Sequence, residues 1–143
     1  MAVKSAHVAI PSPLFGVIFR PVVKVEFQIQ TTGEWLELPM IVDTGADYTM
    51  LPRWLAKNLR VDLDQDCEKR STLGIGGTET VFLQRKMTVR LGRCVGDVPI
   101  GFVNRDDIPA LLGRQDFSEK FRVVLENHTT TFSAPRASRR AAR

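Results

Sequence analysis

Apolar and polar residues alternate most regularly at the start of the chain's central part. Val23, Val25, Phe27 and Ile29 alternate with Lys24, Glu26, Gln28 and Gln30. A two-residue period puts successive side chains on opposite faces, so this segment is predicted as a strand buried on one side. Thr31-Thr32-Gly33 supplies a turn, and Trp35–Val42 returns as the second strand of a hairpin. Thr49–Leu51 reads as a short strand. Pro52 stands where a helix begins, because its missing N–H is not needed in the first turn, and Trp54, Leu55 and Leu59 make one side of that short helix. Thr80–Leu91 is predicted as a long strand, followed by shorter ones at Val98–Val103 and Ile108–Leu112. Gln115–Phe121 fits two helical turns, and Arg122–Leu125 and Thr129–Phe132 close the chain as strands. Residues 1–20 hold Pro11 and Pro13 and little periodicity, which predicts an extended arm. Many short strands with one or two short helices predict an all-β, closed barrel-like domain.

Composition narrows this picture. The chain has 143 residues, 43% of them hydrophobic, enough to bury one core and too many for a globally disordered chain or a disulfide miniprotein. The expected organisation is an N-terminal arm over residues 1–22, a folded domain over 23–132 and a basic, disordered tail over 133–143. Cys67 and Cys94 lack metal-ligand spacing and are expected as reduced thiols. His7 and His128 stand far from any Cys or Glu cluster, so no metal site is expected.

Net charge is +4, but Arg136, Arg139, Arg140 and Arg143 lie in the tail, which holds no acid. Removing these four from the 20 Lys+Arg leaves 16, equal to the 16 Asp+Glu, so the body is neutral and no specific nucleic-acid partner is implied. No stretch approaches the about 20 apolar residues needed to cross a bilayer. Ala6–Phe19 is interrupted by its prolines and reads as no secretory signal. A cytoplasmic protein without a membrane partner is expected, and the start at Met1 is read as an independently translated gene product.

Chemistry concentrates in Pro39-Met40-Ile41-Val42-Asp43-Thr44-Gly45-Ala46-Asp47, an apolar strand that runs straight into a carboxylate and a tight-turn pair. A carboxylate at the end of such a strand is held rigidly near the core, where it can serve as general acid or base. Taken alone, Asp-Thr-Gly is equally a good turn tripeptide. Two further segments bear on the choice. Gly74-Ile75-Gly76-Gly77 precedes the long strand and has the composition of a mobile hairpin tip. As a phosphate cradle it is poor, since no Lys-Ser/Thr follows and no helix begins there. Ile108–Leu112 is an apolar strand that ends in Gly113-Arg114.

In this order and at these separations, Val42-Asp43-Thr44-Gly45-Ala46-Asp47, Gly74-Ile75-Gly76-Gly77 and Leu111-Leu112-Gly113-Arg114 resemble the retroviral-type (retropepsin-like) aspartic proteases over roughly residues 23–125. The resemblance implies a retropepsin-type acid protease barrel with a flap hairpin. It implies Asp43 as the catalytic carboxylate, Thr44 as a brace of the active-site turn through its symmetry mate, and Gly45 as the point of close approach to a peptide. Ala46, Asp47 and Leu111 would border the substrate, with Gly74, Ile75, Gly76 and Gly77 as the flap and Ile75 at its tip. Arg114, set by Gly113, would pair with Asp47; a planar guanidinium fork matches a carboxylate. The implied reaction is peptide-bond hydrolysis in an unfolded protein or peptide, without cofactor or metal.

That chemistry needs two carboxylates sharing one proton, because like charges about 3 Å apart cannot both ionise. The chain holds a single Asp-Thr-Gly and is too short for two barrels, so a homodimer with Asp43 meeting Asp43 of a second copy is expected. The terminal strands are candidates for an intersubunit sheet or for pairing within one chain. Two other readings remain: a catalytically inactive peptide-binding or dimerisation module on the same fold, and an RNA-associated protein acting through its tail.

Overall fold

The computed structural model describes residues 2–135. The chain runs through β1 (Ala2–Ala6), β2 (Val8–Ser12), β3 (Gly16–Arg20), β4 (Val22–Gln28), β5 (Trp35–Val42), β6 (Thr49–Pro52) and the one-turn helix α1 (Leu55–Asn58). It continues through β7 (Glu68–Gly74), β8 (Gly77–Leu91), β9 (Cys94–Val103) and β10 (Leu111–Leu112). After a 3-10 turn at Ser118–Lys120 come β11 (Arg122–Glu126) and β12 (Thr129–Ser133). The fold is all-β with the expected barrel. Seven strands run in the order β4-β5-β10-β6-β9-β8-β7, and β4 also pairs with β8, which closes six of them into a ring and leaves β7 outside it.

Burial follows the two-residue period where a strand has one face on the core. In β4, Val23, Val25 and Phe27 are fully buried; Met40 and Val42 of β5 and Leu51 of β6 meet them, together with Ile100 and Phe102 of β9. β8 carries a bulge where Arg85 and Lys86 stand opposite Pro99, a residue with no N–H to give to the ladder.

Several segments differ from the expected pattern. Residues 2–20 form β1 and the β2–β3 hairpin rather than a featureless extended arm. Pro52 ends β6, and the helix begins at Leu55; Leu55 and Leu59 are buried while Trp54 is exposed. Of Ile108–Leu112 only the last two residues are strand, the Pro109 N having no hydrogen to donate. Gln115–Phe121 makes a single 3-10 turn because Asp116 takes a positive φ of 54°, which no right-handed helix admits. The terminal strands pair within the chain. β12 is the centre of a three-stranded sheet with β1 on one side and β11 on the other. Its hairpin turns through Asn127 and His128, both with positive φ, the geometry that matches strand twist in a two-residue loop.

The tail expected from residue 133 lies outside the described residues from Arg136 onward; Ser133 itself is the last residue of β12. Cys67 and Cys94 are unbridged, and burial pushes the Cys67 thiol up to about 11. Among the described residues no helix is long and apolar enough to cross a membrane.

Candidate active site

β5 is covered on its inner face, and its last residue, Val42, is buried; Asp43 follows immediately and is half-buried. Its backbone N–H donates to the carbonyl of Leu112 at 3.0 Å, an extension of the parallel pairing of β5 with β10. The chain then turns sharply. Gly45 N–H donates to Asp43 Oδ1 at 2.9 Å, so the carboxylate closes its own turn and one of its oxygens is oriented by the backbone. A Cβ on Gly45 would lie 3.3 Å from that same oxygen.

The turn is fixed from outside by Arg114. Its Nη1 donates to the Thr44 carbonyl at 3.0 Å and its Nη2 to Asp47 Oδ1 at 2.7 Å, one planar group holding both sides of the loop. Backbone bonds run alongside: Arg114 N–H to the Ala46 carbonyl at 3.1 Å, and Gln115 N–H to the Asp47 carbonyl at 2.8 Å. An exposed ion pair is worth little to stability, so the value of this one lies in positioning. Gly113 sits so close to β6 that a Cβ would meet the Tyr48 carbonyl carbon at 2.2 Å. Its N–H donates to the buried Thr49 hydroxyl at 3.1 Å.

The hairpin of β7 and β8 turns through Ile75 and Gly76, with Gly74 paired to Gly77 and Gly77 at a φ of 110°. Ile75 at its tip and Leu73 beside it are exposed, touching no core. Beneath the hairpin lies an open cleft of about 300 Å³, walled by Met50, Val103, Ile108, Pro109 and Leu111 on one side and by Thr72, Gly74, Gly76 and Gly77 on the other. Leu111 therefore faces the cleft while its neighbour Leu112 holds Asp43, so β10 joins the two. Arg105 and Glu79 stand in the same wall, paired at 3.5 Å, and Arg105 holds the Asp107 carboxyl below its usual range by hydrogen bonding to it.

The structure thus gathers Asp43, Thr44, Gly45, Ala46, Asp47, Gly113 and Arg114 into one cluster, with Gly74, Gly76, Gly77 and Leu111 around the adjoining cleft. In the single chain Ala46 is buried and stands outside the lining of that cleft, and Ile75 projects into solvent. Sequence reasoning passed over Thr49, Tyr48 and the Glu79–Arg105 pair. A hydroxyl in the otherwise apolar run Thr49-Met50-Leu51-Pro52 was the available signal for the first, and the place of Tyr48 directly after Asp47 for the second; the pair has none, since only the folded chain brings it to the site.

A family model described as aspartyl protease matches residues 25–115, which contain every residue of this cluster. Among solved structures, the crystal structure of a retropepsin-like aspartic protease from Rickettsia conorii superposes with a TM-score of 0.62. The match covers 92% of this chain and 90% of that one at 16% identity, a likeness of fold. The search of curated proteins gave no match. With the family model spanning well over half of the chain, this chain belongs to the aspartyl protease family, and its barrel is retropepsin-like in fold.

Proposed function

We propose that the protein is an aspartic endopeptidase whose active site forms between two copies of the chain, each contributing Asp43. The observation that carries this reading is the Asp43 turn. The carboxylate is half-buried at the end of a core strand, one oxygen is oriented by the Gly45 N–H, and the loop is locked by Leu112 and Arg114. A turn built only to reverse the chain has no need of such fixing. The single Asp-Thr-Gly requires the second carboxylate to come from another copy.

In the pair, one carboxylate is ionised and takes a proton from water. The other, protonated, donates to the scissile carbonyl oxygen as water adds to its carbon. Collapse of the tetrahedral intermediate expels the amine with a returned proton. Thr44 is exposed beside Asp43, and in the dimer it braces its counterpart across the two-fold axis. The cleft below the β7–β8 hairpin receives the peptide as an extended strand, its apolar wall of Met50, Val103, Ile108 and Leu111 favouring hydrophobic side chains near the cut bond.

A mixing experiment tests this directly. A fixed amount of wild-type chain is titrated with Asp43→Asn while cleavage of an unfolded protein is followed. A shared site predicts that activity falls as mixed dimers form, to near zero at large excess of the variant. Activity untouched by excess variant would show a site complete within one chain. No cleavage by wild type at any pH from mildly acidic to neutral would favour the inactive binding module.

A further inference from the structure

We infer that the β2–β3 hairpin is an arm that closes over a second copy of this chain and secures the dimer; the inference rests on the two-chain reading above. Val8 to Phe19 contains no charged residue, and among the described residues β2 and β3 pair only with each other. Their register puts Ala9, Pro11, Val17 and Phe19 on one wholly apolar face, and Val8, Ile10 and Ile18 on the other together with Ser12 and, at the root, Arg20. At the tip Leu14 is 84% exposed and Phe15 77%. A two-stranded hairpin is marginal by itself in water, and a contiguous apolar surface of this kind marks a surface built to be covered.

The root of the arm identifies what covers it. His7 N–H donates to the His128 carbonyl at 2.8 Å, and the Phe19 ring stacks on the His128 ring at 3.9 Å, fixing the arm to the β11–β12 turn. On the other side, Val42 N–H donates to the Pro21 carbonyl at 2.8 Å. Val42 is the residue before Asp43, so the arm springs from the end of the very strand that presents the catalytic group. A second copy that brings its own Asp43 to this one stands within reach of strands that extend about 17 Å from the root. Two-fold symmetry makes each such contact twice, once per arm. Continuity with the Asp43 face therefore favours another copy over any unrelated partner.

The test is L14S/F15S, two substitutions at solvent-exposed positions of the hairpin tip. Sedimentation equilibrium is expected to show a dimer dissociation constant raised by about 30-fold or more. The circular dichroism spectrum is expected to be unchanged, and kcat close to wild type once protein concentration exceeds the new constant. Hydrogen exchange of residues 9–19 should slow in concentrated wild type and not in dilute protein. A wild-type dimer whose constant L14S/F15S leaves unmoved overturns the arm while the two-chain reading stands. A wild type that is monomeric at every concentration and indifferent to excess Asp43→Asn overturns both. Sedimentation with phosphatidylcholine–phosphatidylglycerol vesicles that L14S/F15S abolishes, with the dimer constant unmoved, would assign the tip to a lipid surface and refute the arm.

Discussion

Three glycines measure how tightly the strands of this fold are packed. A Cβ at Gly96 in β9 meets nothing within 4 Å; one at Gly101 meets Tyr48 Cε2 at 2.5 Å and Val81 Cγ1 at 2.8 Å. At Gly113 it meets backbone: the Tyr48 carbonyl carbon at 2.2 Å, its oxygen at 2.3 Å and Thr49 N at 2.8 Å. Side-chain ends give way and backbone does not, so alanine at the three sites should rank in that order. Gly96→Ala is expected to stabilise by about 0.5–1 kcal/mol, because the unfolded chain loses freedom and a strand gains a Cβ. Gly101→Ala should cost about 1–3 kcal/mol as Tyr48 and Val81 are pushed aside.

For Gly113→Ala, β10 must move away from β6. Overpacking costs about 3 kcal/mol, and the bonds from Gly113 N–H to Thr49 and from Asp43 N–H to Leu112 cost about 1 kcal/mol each. A loss of about 5 kcal/mol consumes much of a typical domain's stability of about 5–15 kcal/mol. Urea unfolding at one fixed protein concentration, with slopes compared as well as midpoints, measures all three. A Gly113→Ala midpoint within error of wild type, or a Gly101→Ala loss larger than that of Gly113→Ala, would refute the packing described here.

Two other expectations are independent of that series. Arg114→Lys keeps the charge but cannot donate in a plane to both Thr44 and Asp47. It should lower kcat by about tenfold or more while costing under about 1 kcal/mol of stability, because the Asp47 side chain is 82% exposed; parallel losses, or an unchanged kcat, would remove Arg114's positioning role. Glu26 is held below its usual carboxylate range by the Arg90 hydrogen bond, Arg90 itself lying over the Trp35 ring. A depressed acid contributes stability that is present above the unfolded value near 4.5 and lost as pH falls through the lower folded value. Glu26→Gln should therefore lower the unfolding midpoint at neutral pH and match wild type in strong acid, and an equal deficit at both extremes would count against it.

How much of this was legible depended on whether an element has one buried face. β5 was read to its observed bounds, and β4 to within two residues, because each alternates between core and surface. β7 was not read as a strand. Lying outside the closed ring, it exposes most of Glu68-Lys69-Arg70-Ser71-Thr72-Leu73-Gly74 on both sides and so has no period to detect. The β2–β3 hairpin escaped for the related reason that no third strand or core face imposes alternation on it. Gln115–Phe121 showed the opposite failure, a helical spacing interrupted at Asp116 by a backbone angle that spacing cannot reveal.

At the site, the residue types and their order along the chain were local facts: a core strand ending in Asp-Thr-Gly, a glycine hairpin, an apolar segment ending in Gly-Arg. Alternation along the strands determined the class of fold, because periodicity acts between near neighbours; which carboxylate to examine came from the resemblance that these three segments carry in that order. Only the tertiary structure decided that Leu112 carries the Asp43 N–H, that Thr49 receives Gly113, and that Arg114 clamps Thr44 and Asp47 from 70 and 67 residues away. Contacts over such separations exist only once the ring of strands has closed and the cost of ordering the chain has been met by burial of the core.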